Sequence, residues 1–446
     1  MMPPDLFLDR KQRELRFKLS SLPLELEHWR KLAQSHRPLA KNHSQLDRVT
    51  FRIEGFQKKV EKELDEAIAA GSLWTRAQAL ENKALMIHML WDFFRTRFSL
   101  RTVPPFDRYL ALADAYARAC YEPAIRVLKN IPESQLCAAP LVSFNDQTSP
   151  WATASEEPTP EAETANVITA TQFTQAIRSM PVAIVGVPWS YLTYLPHMAL
   201  LAHEAAHTVE QDGGLDLGKA ITEARLKSND HSAAWQSWIR EVFADLFACW
   251  MAGPSFVWSL ADYLASDQAS IAKQTRPRSN GDWTAYPTAT LRIRFGCHIL
   301  EKREFADDAS QIRETWQTTY PGEALRSFED DFDEITACLS KEARLDSLRP
   351  VFTLEQLNIA TMNAKLLAAG APLRVDPQLP QFYVAAARLL MSNRDLRDAD
   401  LSAFWEQLLD HYVTTKSPAL AGATLSEPKI DADEERRQGE LLAALF

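Results

Sequence analysis

The sequence predicts a predominantly α-helical protein, α+β at most, and three observations support this prediction. Apolar residues recur at intervals of three and four positions through most of the 446 residues, the pattern of amphipathic helices. One short run, residues 182–187, has the β-branched composition of a strand. Hydrophobic residues make up 46% and charged residues 24% of the chain, ordinary values for a globular protein that buries a core.

The first region, residues 1–136, is predicted to be helical. Four apolar residues follow one another there at helical spacing before a glycine ends the pattern: Phe56, Val60, Leu64 and Ile68. The same periodicity continues in residues 75–98 and 106–130. We expect each of these helices to pack one face into a core and to expose the other.

Residues 137–166 change character abruptly, because Pro, Ser, Thr, Ala and Glu dominate and the hydrophobic periodicity is lost. This composition predicts a linker or mobile loop that separates the first region from the rest of the chain. Its acidic part, residues 145–165, is a candidate lid or cleavage site in a self-inhibited protein.

A third region, residues 167–310, contains the strand candidate Val182–Val187 between two prolines, followed by helical patterns. An edge of this strand can bind an extended peptide by adding it as a further strand. A fourth region, residues 311–446, is again predicted to be helical. Its charged tail is expected to stay solvent-exposed up to the last apolar residues.

Charge and cysteine usage restrict the partners and the compartment. The formal net charge of −10 argues against nucleic acid as a partner, because phosphate binding requires a basic surface. Five scattered cysteines without a CxxC pair fit a reducing compartment. The chain begins without a secretory signal pattern, and the longest uncharged run, residues 246–261, is too short to span a membrane. We therefore expect a cytoplasmic protein without a membrane partner, of undetermined oligomeric state.

The motif HEAAH occupies residues 203–207. On a helix, positions i and i+4 lie one turn apart on one face, so His203 and His207 can bind one metal ion. Glu204 lies further round the helix, beside the ion, where it can hold a water bound to the metal. The alternative is an Ala-rich helix whose histidines are buried in the core with their hydrogen bonds made to other groups of the protein.

A catalytic zinc of this kind needs a third protein ligand and leaves the fourth position to water. Residues 235–251 form a broad apolar helical stripe, with Glu241 and Asp245 one turn apart at its border. Carboxylates at such a border are costly unless they are paired or metal-bound. Glu241 as a ligand and Asp245 as hydrogen-bond partner of a ligand imidazole would satisfy both. The alternative is a pair of acids that meet Arg225 or Arg240.

Together these motifs resemble the gluzincin arrangement, in which HExxH is followed on a later helix by ExxAD. The second element here is EVFAD, residues 241–245, which looks like the form in the family of the CAAX prenyl endopeptidases and bacterial HtpX heat-shock proteases. That family continues with His-Pro-Pro and then Arg-Ile, whereas this chain has YPTATLRI at residues 286–293. Tyr286 thus stands where the family has histidine. The membrane helices of the family are absent, so its membrane substrates are not carried over.

The resemblance implies a zincin-like metallopeptidase core in residues 167–310, with a short β-strand edge and helical flanks. The Zn²⁺ ligands are then His203, His207 and Glu241. The resemblance also implies that Tyr286 and Arg292 stabilise the developing oxyanion, although Arg292 can instead secure Asp245. The alternative for Tyr286 is a loop aromatic without a role.

Two further histidines lie near the motif. His197 is seven positions before Glu204, on roughly the same helix face, and is either a cleft residue or part of the first helical turn after Pro196. His231 lies at a predicted helix start, where Asn229 or Asp230 would form the cap. It is the second candidate, after Tyr286, for the transition-state donor. We favour structural roles for both.

The sequence thus predicts a soluble zinc-dependent metallopeptidase that acts on protein or peptide substrates. Glu204 takes a proton from the attacking water and passes it to the leaving amine. The helical flanks regulate the enzyme in a self-inhibited version of this hypothesis. The rival is a non-catalytic, zinc-stabilised helical scaffold that binds a protein partner, for which Glu204 is not needed. Substrate identity and endo- or exopeptidase action stay open.

Overall fold

The computed structural model describes residues 4–35, 37–131, 138–145, 147, 149–153, 170–273, 282–322, 325–348, 352–373, 379–393, 395–419 and 430–445. Most of these residues are helical, which confirms the predicted predominance of α-helix. No helix in these ranges is long and apolar enough to cross a membrane.

Within the described ranges, seven α-helices precede the central strand of the sheet: α1 (Pro4–Ser20), α2 (Leu22–Ser35), α3 (Arg37–Ala40), α4 (His43–Ala69), α5 (Leu73–Ser99), α6 (Phe106–Lys129) and α7 (Ala170–Arg178). The following helices are α8 (Leu201–Gly213), α9 (Leu217–Glu223), α10 (Asn229–Ala252), α11 (Pro254–Leu264), α12 (Gln268–Lys273) and α13 (Ala289–Lys302). The last helices are α14 (Ala306–Thr319), α15 (Phe332–Glu342), α16 (Leu354–Ala368), α17 (Pro380–Met391), α18 (Asp398–Ala419) and α19 (Ala432–Leu442).

A small sheet contains β1 (Leu141–Asn145), β2 (Trp151–Ala152) and β3 (Ile184–Pro188) in the spatial order β1-β3-β2. β1 runs parallel and β2 antiparallel to β3. The predicted strand is therefore present, but the expectation that it forms an edge is wrong. β3 is central because it pairs on both sides, and in the part of the sheet that the structure describes the edges are β1 and β2.

The sheet also corrects the linker predicted for residues 137–166. Residues 141–145 (LVSFN) form a strand that is buried along its whole length, which the average composition of the segment concealed. Gly186 in β3 allows β2 to approach closely, because a Cβ there would lie 2.4 Å from the Trp151 ring. Residues 154–166 of the predicted linker lie outside the described residues.

Two hydrophobic cores meet at this sheet. The smaller core joins α1–α5 and α7 to the end of α19, and the larger one joins α6 to α8–α18. Leu141 and Ile184 point into the smaller core, whereas Val142 and Val185 point into the larger one. Because successive strand residues face opposite sides, the sheet serves as a wall of both cores.

The tail corrects a further expectation, because α19 packs against α4 instead of standing free in solvent. The two helix backbones approach so closely that a Cβ on Gly55 or Gly439 would lie 1.8 or 1.9 Å from a carbonyl oxygen of the other helix. The buried Glu435 carboxylate accepts hydrogen bonds from Arg48 and Arg52 on α4, at 3.3 and 2.5 Å. Close backbone packing and ion pairs thus hold α19 against α4, although the charged composition of α19 predicts that it is exposed to solvent.

Candidate metal centre

α8 carries the HEAAH motif through the larger core, where it packs between α6 and α10. A 3₁₀ segment, Leu195–Leu200, leads directly into it. The helix ends at Gly213 and is capped by Gly214, whose φ of 66° lies in the left-handed region that favours glycine. His203, Glu204 and His207 are all buried. The alanines of the motif leave room for the neighbouring helices, so the polar residues are held inside the protein.

α10 brings Glu241 to the two histidines. Glu241 Oε2 lies 3.2 Å from His203 Nε2, and Oε1 lies 3.6 Å from His207 Nε2. One possible ligand atom from each of the three residues lies within 4.8 Å of the other two. Two imidazoles and one carboxylate therefore come together as a group that could hold a metal ion.

Asp245, one turn further along α10, orients His203. Its Oδ1 lies 2.9 Å from His203 Nδ1, so the other ring nitrogen of His203 faces Glu241. Arg292 on α13 donates from Nε to Asp245 Oδ2 at 2.8 Å and from Nη2 to Oδ1 at 2.7 Å. Of the two alternatives predicted for Arg292, contact with the oxyanion or contact with Asp245, the structure shows the contact with Asp245. Its Nη2 also lies 3.8 Å from Glu241 Oε2.

The two other arginines considered as partners for these acids contact different residues. The Arg240 side chain donates to Glu210 at 3.0 Å, and the Arg225 backbone N–H donates to Glu334 at 3.0 Å. The ion pair that accompanies Asp245 is therefore made by a residue 47 positions away in sequence. Sequence spacing could not choose between these arginines, because all three are chemically equivalent partners.

The charges of the centre favour a cation. Burial alone would raise the pKa of Glu241, but the His203 hydrogen bond and the charges of His203, His207 and Arg292 lower it to about 2. Burial opposes a charge on His203, but its hydrogen bonds to Asp245 and Glu241 raise its pKa to about 10. The carboxylates thus attract positive charge to the point where the imidazoles meet.

Glu204 differs from these two carboxylates. Burial raises its pKa, with a further contribution from Glu241, while the charges of His203 and His207 act in the opposite direction. The Glu204 carboxyl therefore holds a proton more readily than an exposed glutamate does.

These residues open into a cavity of about 670 Å³. Its lining comprises Ser149, Pro150, Trp151, Leu200, His203, Glu204, His207, Glu241, Leu260, Tyr263, Leu264, Thr284, Tyr286, Pro287, Thr288, Ala289 and Arg292. Tyr286 belongs to the lining but is 47% exposed, so it lies at the mouth. The cavity therefore combines the polar centre with apolar lining residues, and its volume lies in the range of ligand-binding pockets.

Several of the lining residues carry no sequence signal, among them Tyr263 and Trp151. Tyr263, on α11, hydrogen bonds to Ser149, and its pKa is raised by burial and by the charges of Glu204 and Glu241. Its position in an ordinary apolar helix gives no sequence signal. Trp151, in β2, comes from the segment predicted to be a linker. Both reach the cavity only through tertiary packing.

The candidate cleft histidines do not line the cavity within the described part of the chain. His197 packs against Tyr191 and Tyr194, and burial together with the charge of Arg388 lowers its pKa to about 4. His197 lies in the 3₁₀ segment that precedes α8, so the α-helical spacing that predicted a shared face with Glu204 does not apply to it.

His231 is held by a different set of contacts. Its Nδ1 lies 2.6 Å from Asp331 Oδ2, and its ring stacks on Phe328 with centroids 4.0 Å apart. The cap of α10 is Ser228, whose side chain accepts from the His231 backbone N–H, and not Asn229 or Asp230 as predicted. His231 therefore has a structural role, which argues against its use as a transition-state donor.

Comparisons of the chain with protein-family models, with curated proteins and with solved structures give no match.

Proposed function

We propose that this chain is a zinc-dependent metallopeptidase of the gluzincin type. The observation that supports this most directly is the convergence of His203, His207 and Glu241 on one point of an open cavity, with Glu204 beside them. Within the part of the chain that the structure describes, the potential metal ligands at this point are three residues: His203, His207 and Glu241. Three protein ligands with access to solvent are typical of a catalytic zinc, whereas structural sites close with a fourth.

The donor set fits Zn²⁺ better than a hard cation, because imidazole nitrogen is a preferred zinc ligand and Mg²⁺ or Ca²⁺ takes oxygen. When bound, zinc supplies a Lewis acid that polarises a carbonyl and lowers the pKa of a water to about 7. Asp245 keeps His203 in the tautomer that presents Nε2 to the centre. Arg292 holds Asp245 in position through two hydrogen bonds.

The remaining chemistry is assigned to Glu204 and Tyr263. The Glu204 carboxylate accepts a proton from the attacking water and delivers it to the nitrogen of the leaving amine. The Tyr263 hydroxyl donates a hydrogen bond to the carbonyl oxygen as negative charge develops on it. Its place in the same cavity, within the electrostatic influence of Glu204 and Glu241, supports this role. Tyr286 is the alternative donor.

The edge of the sheet offers a site for the substrate backbone. β2 is an edge strand, and Trp151 lines the cavity together with Ser149 and Pro150. An extended peptide that pairs with this edge would pass the metal centre with its backbone in a fixed direction. Pairing with an extended substrate peptide, which the sequence predicted for β3, is thus proposed for β2.

Metal analysis combined with a cleavage assay tests the proposed function. We expect about one zinc per chain in the wild type and a large loss in His203→Ala, because one of three protein ligands is removed. Cleavage of an unfolded protein such as casein should stop on addition of a chelator and return with Zn²⁺. Activity that appears only after limited proteolysis would identify the self-inhibited form.

Two other outcomes would contradict the proposal. A purified wild type without zinc, and without affinity for it, would remove the metal centre. Stoichiometric zinc without cleavage of any substrate, before or after limited proteolysis, would favour the non-catalytic scaffold that binds a protein partner.

Replacement of the two tyrosines separates their roles. Tyr263→Phe is expected to lower kcat by about 10²-fold, the effect of removing one oxyanion donor, with little change in KM. Tyr286→Phe should have a smaller effect, because its side chain is at the exposed mouth. Steady-state kinetics on one fluorogenic peptide measures both. A larger loss in Tyr286→Phe than in Tyr263→Phe would reverse the assignment.

A further inference from the structure

The two histidines of the centre differ in what contacts their second ring nitrogen. His203 Nδ1 has the Asp245 carboxylate at 2.9 Å. His207 Nδ1 is buried and has no hydrogen-bond partner among the described residues. A carboxylate oxygen, Glu210 Oε2, lies 3.9 Å from it, just beyond hydrogen-bond distance. His203 is therefore oriented by the Asp245 carboxylate, and the Glu210 carboxylate lies close to His207.

Glu210 is itself held by a cation. It follows His207 by three positions on α8, so the two side chains lie on the same side of the helix. Arg240 on α10 contacts both carboxylate oxygens from Nε, at 2.9 and 3.0 Å. The Glu210 side chain is only 13% exposed. This acid is thus kept beside the imidazole and not released into solvent.

The same order of groups occurs twice around the centre. On one side, Asp245 lies between His203 and Arg292, and on the other, Glu210 lies between His207 and Arg240. In both cases the carboxylate is on the side of the ring away from Glu241. The two arrangements differ in tightness, because the first is more deeply buried and has the shorter contact to its histidine.

We propose that Glu210 is the positioning residue of His207, an inference that rests on the proposed zinc function. A neutral imidazole that binds a metal through Nε2 carries its proton on Nδ1, which then requires a buried acceptor. A small rotation of the Glu210 side chain supplies that acceptor. Arg240 restrains the carboxylate and keeps it from approaching the metal as a ligand.

Zinc affinity measures this role without depending on catalysis. Glu210→Ala should raise the zinc Kd by about 10- to 100-fold, the range found when a group that orients a ligand histidine is removed. Glu210→Gln should recover part of the affinity, because its amide oxygen still accepts a hydrogen bond. Arg240→Ala should have a smaller effect, since it loosens the acceptor without removing it. Competition with a chromophoric chelator gives Kd for each variant.

The matched control is Glu223→Ala, which removes an exposed glutamate that pairs with Lys219 on α9. Its zinc Kd should equal that of the wild type. A positioning role also predicts that Glu210→Ala leaves the Tm of the metal-free protein nearly unchanged and reduces the rise in Tm on zinc addition. The d–d spectrum of the Co²⁺-substituted variant should differ from that of the wild type, because the His207 ring is less fixed.

Wild-type zinc affinity and Co²⁺ spectrum in both Glu210→Ala and Glu210→Gln would overturn the inference and leave the proposed function intact. An equal fall in Tm with and without zinc, at unchanged Kd, would assign Glu210 a purely structural role and would also overturn it. Failure of the wild type itself to bind zinc would refute the proposed function and this inference together. If Glu210→Ala does not fold, Glu210→Gln and Arg240→Ala provide the comparison.

Discussion

Glu204→Gln is expected to reduce peptide cleavage by about 10²- to 10⁴-fold while the protein continues to bind zinc. Glutamine has nearly the volume of glutamate, so the buried position is filled without a cavity. Its amide cannot accept the proton that the carboxylate takes from water. Since Glu204 is not one of the three potential ligands, metal content should stay at the wild-type value.

Cleavage rate and bound zinc must be measured on the same preparation of Glu204→Gln. Glu223→Gln, an identical substitution at an exposed position on α9, is the matched control and should keep full activity. If Glu204→Gln cleaved its substrate at the wild-type rate, the proposed mechanism would be wrong. If it lost zinc together with activity, Glu204 would have to be reassigned as part of the metal site.

Arg292→Ala is expected to cause the largest loss of stability among substitutions around the centre. Arg292 and Asp245 are both buried, and their two hydrogen bonds join α13 to α10. Removal of Arg292 breaks this buried ion pair and leaves the Asp245 carboxylate with His203 as its remaining partner, and breaking a buried pair typically costs about 3–5 kcal/mol in the free energy of unfolding. Arg292→Lys should restore only part of it, because an ammonium group cannot form the same pair of hydrogen bonds.

Chemical denaturation of the metal-free protein gives the free energy of unfolding for each variant. The matched control is Lys302→Ala on α13, where an exposed cation pairs with Asp333, and its change should stay within about 0.5 kcal/mol. Zinc affinity should also fall in Arg292→Ala, because Asp245 no longer orients His203. An Arg292→Ala protein with unchanged stability and zinc affinity but a lower kcat would instead support a direct role on the oxyanion.

The local part of the candidate centre could be predicted from sequence. His203 and His207 share a helix face because the α-helical repeat places residues four apart on the same side. The border position of Glu241 and Asp245 follows from the apolar stripe of α10 in the same way. The structure places these four residues together in a buried cluster. Metal analysis and kinetics of the variants test whether these residues bind metal and take part in catalysis.

Other contacts could not be predicted, because they join segments that are distant in the chain. Tyr263 enters the cavity from α11, and the segment before β2 reaches it from residues where composition predicts a linker. His197 has the right helical spacing but packs between two tyrosines outside the lining. Helical spacing predicts on which side of its own helix a side chain lies. It does not predict which neighbouring segment packs against that side.

The sequence by itself determined the helical character of the chain and the spacing of the residues in each motif. Both follow from short-range backbone geometry, which depends on a few consecutive residues. Only the tertiary structure decided that β3 is central, that α19 packs on α4, and that Arg292 accompanies Asp245 while Arg240 accompanies Glu210. These contacts depend on how the helices and strands pack in the two cores. Several arginines could pair equally well with a given carboxylate, and packing decides which of them lies beside it.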